Sequence, residues 1–146
     1  MTPVIGLVNG PNLNLLGERD PSQYGATDLA EIVESVSAAA AARGFFVEHL
    51  QSNSEGALVD AVQAGRKRWK GLIINPGAYT HTSIALRDAL EVLTVPIIEV
   101  HLSNIHAREP FRHHSFISPL AKGVIVGLGA QGYLLALEGL LGMVSE

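Results

Sequence analysis

Cysteine is absent from this 146-residue sequence, which excludes disulfides and thiolate chemistry. Long hydrophobic runs are missing as well. Nothing approaches the ~18 consecutive apolar residues of a membrane span, so no membrane partner is expected and the cytoplasm is the default location. The opening MTPVIGLVNG has no basic segment ahead of its short apolar run, and reads as a first β-strand, not as a secretory leader. Basic charge is scarce, with 10 Lys and Arg against 14 Asp and Glu and a net charge of −4. The one dense basic run, Arg66–Lys70, falls at the end of a predicted helix, where cations complement the dipole. Nucleic acid is not an expected partner, because phosphate binding needs a wider basic face.

Several signatures of common chemistries are also missing. The histidines at 49, 81, 101, 106, 113 and 114 show no HExxH or comparable ligand spacing, so no metal site is expected. No GxSxG elbow and no GxxxxGK[ST] loop occurs, which disfavours an α/β-hydrolase and a P-loop enzyme. Of the three lysines, Lys67 and Lys70 lie away from the chemistry-bearing ends of the predicted strands and Lys122 precedes the fifth strand, so a Schiff-base mechanism lacks an evident nucleophile. GLGAQG, Gly127–Gly132, matches GxGxxG literally. It follows the last predicted strand, however, with no acidic residue ~20 positions beyond it to hold a ribose. Packing of the last helix on the sheet explains these glycines better than a dinucleotide does.

What is present is a globular composition, 47% hydrophobic and 16% charged, at about the modal size of one domain. Residues 1–146 are read as a single domain. Short apolar runs rich in β-branched residues recur at Val4–Val8, Phe45–Leu50, Gly71–Ile74, Val95–Val100 and Gly123–Val126, each bounded by Gly, Pro or Asn. Helical composition fills Asp28–Arg43, Glu55–Trp69, Tyr79–Leu93 and Ala130–Val144. Strands that are continuously apolar are covered on both faces, and strands alternating with helices imply a parallel sheet. The expected architecture is a three-layer α/β fold with five parallel strands in the flavodoxin-like order 2-1-3-4-5 and helices on both faces.

In such a sheet ligands bind beyond the carboxyl ends of the strands, so those segments carry the functional candidates. After the first strand, NGPNLNLLG offers Asn9, Asn12 and Asn14, each explicable alone as turn chemistry. The connection then runs on to about Thr27, far beyond the ~2–6 residues usual for a βα loop. It contains GERDPSQYG, which is poor helix or strand material yet carries Arg19 and Tyr24, with Gly17 and Gly25 as candidate hinges of a closing loop. After the third strand, NPGAYTHTS makes a turn with Pro76 and Gly77 and adds Asn75, Tyr79 and His81. After the fourth, Glu99 and His101 share a face, since side chains two apart in a strand point the same way. A buried, satisfied pair and an acid/base histidine are both open readings of that spacing. Arg112 in PFRHHSFISP is a candidate clamp for an anion or hydroxyl.

Taken together, NGPNLNLLGERDPSQYG, QSNSEG, INPGAYTHTSIALRDAL, EVHLSN and EPFRHHSFISPLAKGVIVGLGAQGYLLAL resemble the type II 3-dehydroquinate dehydratases across essentially the whole chain. The resemblance implies a lyase without metal or cofactor that removes water from 3-dehydroquinate, giving 3-dehydroshikimate by trans elimination through an enol or enolate. It also implies assembly as a homododecamer, a tetramer of trimers. Carried onto this sequence, it makes Tyr24 the base, Arg19 the cation favouring its phenolate, His101 the acid and Glu99 its orienting partner. Asn12 would help hold a water at the enolate oxygen. Asn75, His81 and Arg112 would bind substrate, the backbone amides of Leu102 and Ser103 its carboxylate, and Asp88 would reach in from a neighbouring subunit. Asp20 and Ser54 depart from the family's commoner Glu and His, at positions that carry no chemistry.

Chemistry agrees with the pairing. A phenol with an ordinary pKa of about 10 is only about 0.1% ionised at pH 7, so a phenolate base needs a cation nearby; Arg19 and Arg108 are the candidates. The competing reading is a non-catalytic flavodoxin-like module binding FMN or a phosphorylated partner. A receiver of that kind needs an acidic cluster after the first strand, where this chain has VNGPN.

Overall fold

The structure is a computed structural model that describes residues 1–24 and 26–144. Five strands, β1 (Val4–Asn9), β2 (Phe46–Gln51), β3 (Trp69–Asn75), β4 (Ile97–His101) and β5 (Gly123–Val126), form one sheet in the order β2-β1-β3-β4-β5. Every neighbouring pair is parallel, as the continuous apolar runs require. In β3, Leu72, Ile73 and Ile74 are all fully buried. Because successive side chains alternate faces, Ile73 joins one core and Leu72 and Ile74 the other.

Those two cores sit under two helical layers. On one face α2 (Leu29–Ala41) and α5 (Gln131–Val144) bury Ile32, Val36, Tyr133, Leu137 and Leu140. On the other α3 (Glu55–Gly65) and α4 (Ile84–Glu91) bury Leu58, Val62, Leu86 and Leu90. Local sequence starts these helices where they start. Asp28 and Glu31 form a capping box at α2, and the Ser54 hydroxyl accepts from the Ala57 amide at α3, so the serine that departs from the family's common histidine is a cap. None of the described helices is long and apolar enough to cross a membrane.

Three segments differ from the sequence reading. The third helix ends at Gly65, not Trp69, because the Trp69 ring lies where Cβ atoms on Gly65 and Gly6 would stand, at 2.2 and 2.6 Å; the tryptophan therefore opens β3. Arg66 and Arg68 still serve the helix end, donating to the carbonyls of Gln63 and Ala64. Tyr79–Leu93 is not one helix. A 3-10 stretch, Gly77–His81, precedes α4, and the Ser83 hydroxyl caps α4 by accepting from Leu86 N at 2.9 Å. Finally, the segment read as irregular contains a single helical turn, α1 (Pro21–Tyr24). Proline breaks helix interiors but suits the first position, where its missing N–H is not needed. Asp20 precedes it and accepts from both the amide and hydroxyl of Ser22. Gly17 has φ +92, a conformation open to glycine; Gly25, the second candidate hinge, lies outside the described residues.

Parallel register brings the strand ends together. Asn9 pairs with Asn75, and Ile74 with Glu99, so the candidate residues gather at one sheet edge. Gly10 makes the approach possible: its amide donates to the Asn75 carbonyl at 2.8 Å, and a Cβ there would meet the Pro76 carbonyl oxygen at 2.3 Å. Because that neighbour is backbone, it cannot rotate away. Gly10→Ala is expected to cost about 1–3 kcal/mol of stability through overpacking, read by urea unfolding; an unchanged midpoint would show that the two strand ends separate freely.

Candidate active site

The loop after β1 places a cation on a phenol. Arg19 Nη2 donates to Tyr24 Oη at 2.8 Å, and the same guanidinium lies 4.1 Å from the Tyr24 ring centroid. Five residues apart in an extended segment these groups would diverge. The turn of α1 folds the chain back, its Tyr24 amide bonded to the Asp20 carbonyl at 3.1 Å. Arg108 approaches the same ring from the segment after β4, at 5.4 Å, so Arg19 is the nearer cation.

The base of the loop is pinned from β2. Asn12 adopts the left-handed conformation, φ 68, which asparagine tolerates better than most residues, and its amide donates to Asn53 Oδ1 at 2.9 Å. Gln51 Nε2 bonds both Asn53 Oδ1 and the Gly10 carbonyl, while Tyr79 Oη donates to the Asn53 carbonyl. The motif QSNSEG thus acts as a clamp on the loop after β1. Leu13 and Leu16 anchor the loop from below, both buried in the core under α2.

At the end of β4, His101 Nε2 lies 2.5 Å from Glu99 Oε2. Glu99 has no exposed surface, and its carboxylate also accepts from Thr80 Oγ1 at 2.8 Å, Ser115 Oγ at 3.1 Å and Ser118 Oγ at 2.6 Å. Burial opposes its charge, but the hydrogen bonds from His101, Ser118 and Thr80 outweigh burial and hold the carboxyl below its ordinary range. The pair is buried and satisfied, and the imidazole also lines a cavity.

That cavity, about 120 Å³, is lined by Asn12, Arg19, Tyr24, Asn75, His81, His101, Leu102, Ser103 and Arg112, all candidates from sequence. It also draws in Pro11, Gly77, Ile105 and Arg108. Three guanidiniums and no carboxylate stand on its described wall, which suits an anionic ligand. His81 bonds the His114 carbonyl through Nδ1 at 2.8 Å and stacks on His101 at 6.4 Å; burial lowers its pKa. Among the described residues, the amides of Leu102 and Ser103 donate to no backbone carbonyl, which leaves two adjacent donors beside Arg108, whose Nη1 bonds Ser103 Oγ.

Two candidates stand apart. Glu99 lies behind His101 and not on the wall, and Asp88 is exposed on α4, outside the cavity of its own chain. Thr80, Ser115 and Ser118 were not singled out from sequence, since hydroxyl residues in loops give no signal until a buried carboxylate is found beside them. Arg108, named only as a possible influence on Tyr24, belongs to the wall itself. A wider depression of about 930 Å³, bordered by Leu16, Asp28, Val33 and His49, lies on the other side of the loop and holds no paired acid and base. Among the described residues no group of three or more His, Cys, Asp or Glu could hold a metal ion.

Fold and site together define a flavodoxin-like α/β protein whose sheet ends, at its carboxyl edge, in a cavity carrying a phenol, an imidazole and three guanidiniums. The family model for class II dehydroquinases matches residues 3–141, and the chain belongs to that family. It is 58% identical over 132 residues to a catabolic 3-dehydroquinase of Aspergillus oryzae, covering 90% of this chain and 86% of the relative. It is 55% identical over 138 residues to 3-dehydroquinate dehydratase 2 of Pseudomonas aeruginosa, covering 94% and 93%. Among solved structures, the type II dehydroquinase of Propionibacterium acnes superposes with a TM-score of 0.92 at 42% identity, covering 97% of this chain and 98% of that one.

The Glu99 arrangement generates a pH prediction. Its carboxyl is depressed below the ordinary 4.5, so its contribution to stability is fully present above that pH and is lost as the pH falls below it. Urea unfolding from pH 6 down to pH 3 should show stability falling more steeply in the parent chain than in Glu99→Gln. Parallel slopes would mean that Glu99 carries no depressed pKa.

Proposed function

We propose that this chain is a 3-dehydroquinate dehydratase, a hydro-lyase folded as one catalytic domain, that forms 3-dehydroshikimate by trans elimination. The observation that carries the reading is one cavity holding both Tyr24, with Arg19 on its phenol oxygen at 2.8 Å, and His101, backed by buried Glu99. The phenolate of Tyr24 takes the proton alpha to the ketone, and the electron pair moves to the carbonyl oxygen as an enolate. Reforming the ketone expels the hydroxyl, which takes a proton from His101 and leaves as water. Arg19 stabilises the phenolate before abstraction, and Glu99 stabilises the imidazolium before donation.

The remaining wall suits the substrate's other groups. A carboxylate fits the Leu102 and Ser103 amides, which meet an anion as paired donors. Asn75, His81 and Arg112 offer hydrogen bonds to ring hydroxyls, and Asn12 holds a water at the enolate oxygen. Asp88 is exposed on α4 and absent from the wall of its own cavity, which fits its reaching a neighbouring subunit's site within a homododecamer, a tetramer of trimers.

Mixing the purified chain with 3-dehydroquinate should raise the ultraviolet absorbance of a conjugated enone; no rise overturns the activity. Tyr24→Phe should lower kcat by about 10²–10⁴, the range for losing a general base. Near-normal turnover in that variant would leave the activity in place and remove Tyr24 as the base.

A further inference from the structure

Asn75 is held by a chain of hydrogen bonds that leaves the cavity and crosses the core. The Gly77 amide donates to Asn75 Oδ1 at 3.0 Å. A backbone N–H can only donate, so the oxygen end of the side chain is identified, and Nδ2 must be the end that donates to Tyr133 Oη at 2.9 Å. Tyr133 then spends its own proton on Asn9 Oδ1 at 2.6 Å. Asn9 Nδ2 in turn faces His49 Nε2 at 3.1 Å, which fixes that nitrogen as an acceptor. Each link has one direction, set by the first.

The chain has a purpose at only one end. Asn9, Asn75 and Tyr133 are all buried, and burial pushes the Tyr133 phenol up, so it keeps the proton it donates. Burial lowers the pKa of His49, in the direction that favours the neutral ring an acceptor at Nε2 needs. With Oδ1 and one hydrogen of Nδ2 engaged, Asn75 has its second Nδ2 hydrogen left for the cavity it lines. A phenylalanine in place of Tyr133 would fill the same core but take the acceptor from Asn75 Nδ2, leaving the side chain held at its oxygen end alone.

We propose that Tyr133, 58 residues from Asn75 in sequence and absent from the cavity wall, is a positioning residue that presents the Asn75 amide to the substrate as a donor. This rests on the reading of Asn75 as a contact to a substrate hydroxyl. The ligand group at that position is one that accepts, such as a hydroxyl or carbonyl oxygen. Tyr133 itself does not touch the ligand.

Loss of one oriented neutral hydrogen bond corresponds to roughly a three- to tenfold change. Tyr133→Phe should therefore raise KM for 3-dehydroquinate by about that factor while kcat stays within about twofold, because the contact is made in ground and transition states alike. In an Asn75→Ala background the same substitution should leave KM unchanged. A parent-like KM in Tyr133→Phe, or an equal further rise in the Asn75→Ala background, would overturn the proposal and leave the activity standing. If Tyr133→Phe does not fold, the parent chain itself decides the matter. The side-chain amide protons of Asn75 in the parent chain give a readout that needs no substrate: by NMR they should be well separated and slow to exchange. Averaged, rapidly exchanging signals would refute the positioning even in a chain that failed to turn over 3-dehydroquinate.

Discussion

A carboxylate with no exposed surface must be satisfied by its surroundings, since a buried charge left unpaired costs several kcal/mol. Glu99 imposes that condition on everything near it. Its oxygens are met by His101 on the same strand, by Thr80 in the 3-10 stretch after β3, and by Ser115 and Ser118 before β5. One charge therefore ties together three segments remote in sequence. The loops around the cavity are ordered by this requirement as much as by apolar contact. It also fixes the imidazole: a ring held by one nitrogen against a buried anion is oriented, and its other nitrogen is left for the cavity.

The wall has the opposite character. Arg19, Arg108 and Arg112 bring positive charge to a described wall that carries no carboxylate; Glu99 is withdrawn into the core, and the exposed Glu109 pairs with Arg112 at 2.8 Å outside the wall. An anion entering meets donors and cations, with Glu99 set behind His101. Tyr24 is carried differently from His101. The histidine sits on an interior strand, whereas the tyrosine rides a single helical turn that touches the Asp20 carbonyl, the Arg19 and Arg108 guanidiniums and the edge of the core. A group on one turn of helix can move without disturbing the sheet, which is what a loop that admits and encloses a ligand requires.

Much of this was legible in the sequence because the signals were local. Continuous apolar strands point to a parallel sheet, five strands in a chain of this length point to its order, and the spacing of Glu99 and His101 to a shared face. The long connection from Asn9 to Thr27 marked the loop, although Pro21 concealed the helical turn within it, because proline reads as a breaker unless its place at the first helical position is known. Trp69 reads as helical in the sequence because its packing partners, Gly6 and Gly65, lie on different elements. The hydroxyls around Glu99 and the bonds of Tyr133 were illegible for the same reason. A serine or tyrosine acquires meaning from a partner, and Tyr133 sits in an apolar helix where core packing was the natural reading.

Register connects the strand ends to the chemistry. Along β3 the alternation that sends Ile73 to the α2/α5 core sends Asn75 to that side too, where Tyr133 meets it. Along β4 the alternation that sends Ile97 to the α3/α4 core places Glu99 and His101 on that same side, opposite Asn75. The two sets of groups therefore reach the cavity from opposite faces of the sheet, with the loop bearing Tyr24 closing over the edge between them. A slip of one residue in either strand would exchange its faces, burying His101 beneath α5 or turning Asn75 toward α4. Since each face is packed against its own helices, such a slip would expose or misplace a full row of core side chains. The apolar pairing that makes the sheet is thereby also what decides from which side each polar group enters the site.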